Sequence, residues 1–143
     1  MLIMRHNKIF SAAITLCVIA LFTMGPVPVY SAPRPTPVTI TATFDFSTFP
    51  DVAGIFVTSG ALTISGAATM HVGFNHDGVR AHCVVTLIAP DGTIVIHQEC
   101  QFATAPPKGR WEIVSGTRAY ANLRGNGPLL MPDDEEAMTG VIF

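Results

Sequence analysis

His82, His97 and Glu99 are the side chains best suited to acid–base or metal chemistry, and all three fall within RAHCVVTLIAPDGTIVIHQECQ, residues 80–101. Two apolar runs meet there at Pro90-Asp91-Gly92, and alternation places Arg80, His82, Thr86, His97, Glu99 and Gln101 on one polar face. If the runs pair as a hairpin, Gln101 faces His82 with Glu99 diagonal to it. Side chains so placed are within reach of one another. His82 and Glu99 could then serve as an acid and a base, or His82 and His97 could hold a metal with an acidic partner. The competing expectation is a solvated face, as antiparallel sheets commonly carry opposite their core.

Cys83 and Cys100 flank the same hairpin. Reading Asp91-Gly92 as a two-residue turn sets Pro90 against Thr93 and Cys83 against Cys100, with α-carbons about 4.5 Å apart if the pair is not hydrogen-bonded. That distance suits a disulfide, which would contribute about 3 kcal/mol by closing the loop. A three-residue loop would shift the strands by one and bring His97 and Glu99 to the apolar side. Burying them unpaired costs several kcal/mol, more than a turn preference is worth. The expectation is therefore a structural Cys83–Cys100 bridge. Redox or metal chemistry at the pair is disfavoured, because no Cys-x-x-Cys or ligand-spaced His accompanies it.

The remaining candidates are sparse. His71 and His76 have no ligand-spaced companion, and Asp133-Asp134-Glu135-Glu136 lacks the alternating oxygens and glycine of a calcium loop, so it reads as a solvated turn. No Gly-x-Ser-x-Gly, Walker or Rossmann motif is present. No metal or cofactor is expected.

Positioning these residues requires a sheet, and a period of two runs along most of the chain. VTITATFDF puts Val38, Ile40, Ala42, Phe44 and Phe46 on one side. ALTISGAATMHVGF does the same with Leu62, Ile64, Ala68, Met70, Val72 and Phe74, and a turn at Asn75–Gly78 would set Phe74 against Val79. Further strands are expected at Ile55–Thr58, Arg110–Ser115, Tyr120–Leu123, Gly127–Met131 and Met138–Phe143. About eight strands with one apolar side close into a barrel, the β-sandwich being the alternative.

Arg5 and Lys8 precede an uncharged apolar run, Ile9–Met24, and Val29 and Ser31 stand where a signal peptidase reads. Residues 1–31 are thus expected to be a cleaved signal peptide, and the mature chain to be secreted or periplasmic. A retained membrane anchor is the alternative, but Gly25, Pro26 and Pro28 interrupt the run before the roughly 20 residues that a span needs. Residues 32–37, APRPTP, read as an extended tether, leaving 38–143 as one domain. Without Arg5 and Lys8, six Lys and Arg face ten Asp and Glu. That acidic balance offers little to a phosphate backbone, so nucleic acid is not an expected partner. Nor is a membrane, once the signal is removed.

WEIVSGTRAYANLRGNG, residues 111–127, resembles a motif of the allene oxide cyclase and dirigent barrel superfamily, including its small exported bacterial members, through Gly116, Thr117, Tyr120, Leu123, Arg124, Gly125 and Gly127. Ser115 and Arg118 depart from the glycines of that pattern. A left-handed backbone at 118 would strain Arg, so a different local turn is expected. The resemblance implies an eight-stranded antiparallel barrel, often oligomeric, and carries no particular activity. Within it, Tyr120 could face a pocket and Arg124 bind an anionic group. Alternatively, Tyr120 anchors the barrel and Arg124 caps carbonyls.

The leading expectation is an exported, non-catalytic barrel of unassigned role that could hold a small apolar molecule in its lumen or present its surface to a partner. The alternatives are a barrel cyclase or isomerase and a surface interaction protein, the last predicting an exposed apolar patch or a homo-oligomer.

Overall fold

The computed structural model describes residues 33–143. The expected signal peptide, residues 1–31, lies outside the described residues. Eight strands follow in order: β1 (Thr36–Asp45), β2 (Asp51–Gly60), β3 (Ser65–Phe74), β4 (Arg80–Ala89), β5 (Gly92–Gln101), β6 (Lys108–Gly116), β7 (Gly125–Leu130) and β8 (Glu135–Ile142). Each pairs antiparallel with its sequence neighbours, and β1 pairs with β8 to close a barrel. A closed barrel, not a sandwich, is thus how the chain covers its apolar side. Single 3-10 turns occur at Phe46–Thr48 and Arg118–Tyr120.

Alternation explains which side chains fill the lumen. Val38, Ile40, Ala42 and Phe44 of β1 are buried, as are Met70 and Val72 of β3, Cys83, Val85 and Leu87 of β4, and Ile94 and Ile96 of β5. At about 25 cal/mol per Å² of apolar surface removed from water, this shared interior is the main source of stability. β1 begins at Thr36, so it takes in two residues of the expected tether, and Pro37 pairs with Val141. Phe46 leaves the inward face for the first 3-10 turn and is exposed. Tyr120–Leu123 is not a strand: Tyr120 ends the second 3-10 turn and β7 begins only at Gly125.

Both expected hairpin registers are displaced by two residues. Cys83 faces Gln98, Ala81 faces Cys100 and Ala89 faces Gly92, so the β4–β5 turn is Pro90-Asp91. Proline has its φ preset for the first central position of a turn, which favours Pro90 there over the strand position next to an Asp91-Gly92 turn. Similarly, Phe74 faces Ala81, leaving Val79 in the loop. The Asp77 carboxylate accepts the backbone N–H groups of Val79 at 2.9 Å and Arg80 at 3.0 Å, which lengthens that loop. A displacement of two preserves the face of every side chain. The core survives; the pairings change.

The cysteine bridge is the casualty of that displacement. Cys83 and Cys100 remain on the inner face, but as diagonal neighbours whose sulfurs are 4.0 Å apart. A disulfide needs about 2.05 Å. Both thiols are free and buried.

The barrel has unlike ends. At the end of the β4–β5 turn, Tyr120 is buried, and Leu62, Ile64, Ala89 and Leu123 pack against the core. Arg118 there has φ 51°, so the strained left-handed conformation occurs despite the side chain. At the opposite end the β1–β2, β3–β4, β5–β6 and β7–β8 connections surround an opening.

Candidate functional site

The outer hairpin face carries a shallow groove of about 440 Å³ that includes Arg80, His82, Glu99, Gln101, Lys108 and Arg110. The displaced register brings Glu99 directly opposite His82, closer than expected, and Arg110 of β6 opposite Glu99. His97 is not part of this groove; it faces Val84 and Glu112. Among the described residues no hydrogen bond joins His82 to Glu99, and no group of three His, Cys, Asp or Glu is placed to hold a metal ion. The groove is therefore a polar surface on which His82 and Glu99 are neighbours.

The interior holds a more constrained arrangement, built on two inward-facing polar residues, Gln98 and Glu136. Gln98 shares the inward parity of Ile94, Ile96 and Cys100, and Glu136 that of Met138 and Ile142. Both are 2% exposed. The Gln98 amide Nε2 donates to Glu136 Oε2 at 2.8 Å and approaches Met138 Sδ at 3.4 Å. Cys100 Sγ lies 4.0 Å from Gln98 Oε1, so the thiols, the amide and the carboxyl form a chain across the lumen. Glu136 Oε1 is buried with no hydrogen-bond partner.

An unpartnered carboxyl oxygen in an apolar interior favours the neutral form. Burial pushes the Glu136 pKa up to about 7, and the hydrogen bond from Gln98 offsets this only in part. The hydrogen bond with Cys83, reinforced by burial and by the charges of Cys83 and Glu136, holds the Cys100 thiol well above the usual range. Nucleophilic chemistry requires a thiolate. Glu136, by contrast, is an interior group whose proton can move near neutral pH.

Glu136 lines a cavity of about 310 Å³ at the open end, together with Met70, Val72, Cys83 and Met131. Four phenylalanines form its mouth: Phe46 and Phe49 from the β1–β2 connection, Phe74 from the end of β3 and Phe102 from the β5–β6 connection. The rings of Phe49 and Phe74 are 6.0 Å apart between centroids, and those of Phe74 and Phe102 are 5.3 Å apart. These are distances at which tilted aromatic rings attract. The site is an apolar funnel with one buried acidic residue, Glu136, in its lining, of the size at which small-molecule pockets begin.

Tyr120 and Arg124 belong to the other end. Tyr120 is a buried plug, and the Arg124 guanidinium donates to the Leu123 carbonyl at 2.8 Å while its backbone exchanges hydrogen bonds with Phe143. Both lie outside the cavity and the groove. No protein-family model, curated protein or solved structure matches this chain.

Proposed function

We propose that this chain is an exported β-barrel that binds a small, mostly apolar molecule in the cavity at its phenylalanine-lined end, without catalysing its conversion. The observation that carries this reading is the 310 Å³ cavity walled by Met70, Val72 and four phenylalanines. An apolar molecule entering it would remove both its own surface and those side chains from water, at about 25 cal/mol per Å². Kinship with the allene oxide cyclase and dirigent barrels belongs to the same proposal, supported by the Trp111–Gly127 motif and by the eight-stranded antiparallel barrel.

Titration of the purified chain with an environment-sensitive apolar dye tests the reading. We expect saturable binding that is lost in Phe74→Asp, which sets a charge in the mouth. Equal dye binding by Phe74→Asp would refute it.

A second reading, a cyclase or isomerase acting in the same cavity, is favoured by Glu136 alone. A carboxyl with a pKa of about 7 is well matched to proton transfer near neutrality. Turnover of a bound unsaturated or strained substrate that is abolished in Glu136→Gln, with binding retained, would support this reading over the first.

A further inference from the structure

We infer that the ligand of this cavity is an apolar amine, its ammonium group held by Glu136 and by the aromatic mouth. The inference rests on the proposed binding role of the cavity and adds the chemistry of the head group. Its first support is Glu136 itself, a residue that lines the cavity and whose Oε1 is buried with no hydrogen-bond partner among the described residues. An ammonium would supply the donor and the compensating charge that a buried carboxylate otherwise lacks.

The second support is the character of the walls. Among the described residues no Lys, Arg or His lines the cavity, so nothing there would balance a carboxylate-bearing ligand, which would meet Glu136 as a like charge. The phenylalanines add ring faces, to which cations are attracted. Exposed acidic residues also border this end: Asp45 directly precedes Phe46, and Asp133, Asp134 and Glu135 lie between Met131 and Glu136. Their field favours approach of a cation. Arg80, paired to Asp77, and Lys108 lie at the β4–β6 side of the same end.

Binding carries a proton signature. Glu136 accepts a hydrogen bond from Gln98 of β5 and stands opposite Ala42 of β1; Met70, Val72, Cys83 and Met131 line the cavity with it, and Cys100 lies near enough to feel its charge. Glu136, the one carboxyl in this lining, ionises when an ammonium arrives. An alkylamine, with a pKa near that of lysine at about 10.4, enters as its ammonium and keeps its three protons. The Glu136 carboxyl proton leaves to solvent and the carboxylate remains.

The test is calorimetry of the purified chain at pH 6 with three probes of one tail length: octylamine, 1-octanol and octanoate. Each titration is repeated in buffers of different ionisation enthalpy. We expect octylamine to bind at least tenfold more tightly than 1-octanol, octanoate more weakly than either, and close to one proton to be released with octylamine alone. Glu136→Gln should abolish both the amine preference and the proton release while 1-octanol still binds. If that variant fails to fold, the proton count on the native chain decides. Equal affinities for amine and alcohol, or amine binding without proton release, would overturn the inference and leave the apolar cavity standing. Failure of all three probes would overturn both.

Discussion

Glu136 sets a pH dependence of stability with a definite sign. In the unfolded chain its carboxyl titrates near 4.5, whereas burial raises the folded value to about 7. Between these values the folded state binds more protons than the unfolded state, so stability falls as pH rises through this window and levels off above it. The full effect is about 3 kcal/mol, a large share of a typical domain's net stability. Asp77, held at about 2 chiefly by the Val79 and Arg80 amides, and Asp45, lowered by the Ser47 amide, act in the opposite sense. Their contribution is lost only below about pH 3.8 and leaves the Glu136 window clear. Urea unfolding at pH 5 and pH 8 should therefore show the native chain weaker at pH 8, and Glu136→Gln should flatten most of that difference. Equal stability of the native chain at the two values would contradict the burial of an unpartnered carboxyl. Removing the donor should push the other way: Gln98→Ala leaves both carboxyl oxygens without a partner and should raise the Glu136 pKa further, visible as a displaced transition in the same pH series.

At the scale of the strands, alternation in the sequence settled which face each side chain takes, but could not settle the pairings. A period of two is indifferent to a displacement of two, so Cys83 opposite Gln98 fits the pattern as well as Cys83 opposite Cys100. What decided between them was local turn chemistry, Pro90 in the turn; for the β3–β4 pair the same part falls to Asp77, which binds two backbone amides. Glu136 was hidden for a related reason. It ends a run of four acidic residues that reads as solvated, although counting back from Ile142 and Met138 would have placed it inside. The mouth was not legible at all, because its phenylalanines come from connections and a strand end distant in sequence.

The contact that Trp111 of β6 makes across β7 to β8 has its own test. The Trp111 indole Nε1 donates to the Thr139 carbonyl at 3.0 Å, and the ring lies over Gly140, where an added Cβ would be 2.8 Å from Trp111 and 2.2 Å from the Asn126 carbonyl oxygen. Gly140→Ala must move backbone and should cost about 1–3 kcal/mol or more. Gly78→Ala meets nothing within 4 Å, and only its φ of 66° opposes it, so about 1 kcal/mol is expected. Chemical denaturation followed through Trp111, the sole tryptophan, orders the two.

For the molecule as a whole, closure joins every strand to two neighbours and removes the exposed edges that open sheets must protect. One consequence is a single lumen whose two ends have separable roles. Tyr120 is 6% exposed and plugs one end, whereas Phe49 and Phe102 are 52% and 38% exposed at the other. A buried aromatic truncated to alanine typically costs about 3–5 kcal/mol, much of it from the cavity left behind. Side chains already half in water have little burial to lose. Tyr120→Ala should therefore lower the denaturation midpoint strongly and leave the affinity of the folded fraction for an apolar probe unchanged. Phe49→Ser combined with Phe102→Ser should do the reverse, shifting the midpoint by little while weakening the probe about tenfold, since the rings that would cover it are gone. Denaturation and probe titration on the same three proteins measure both quantities. A mouth variant that lost stability in step with binding would mean that the phenylalanines are part of the core, and the functional division between the ends would fall.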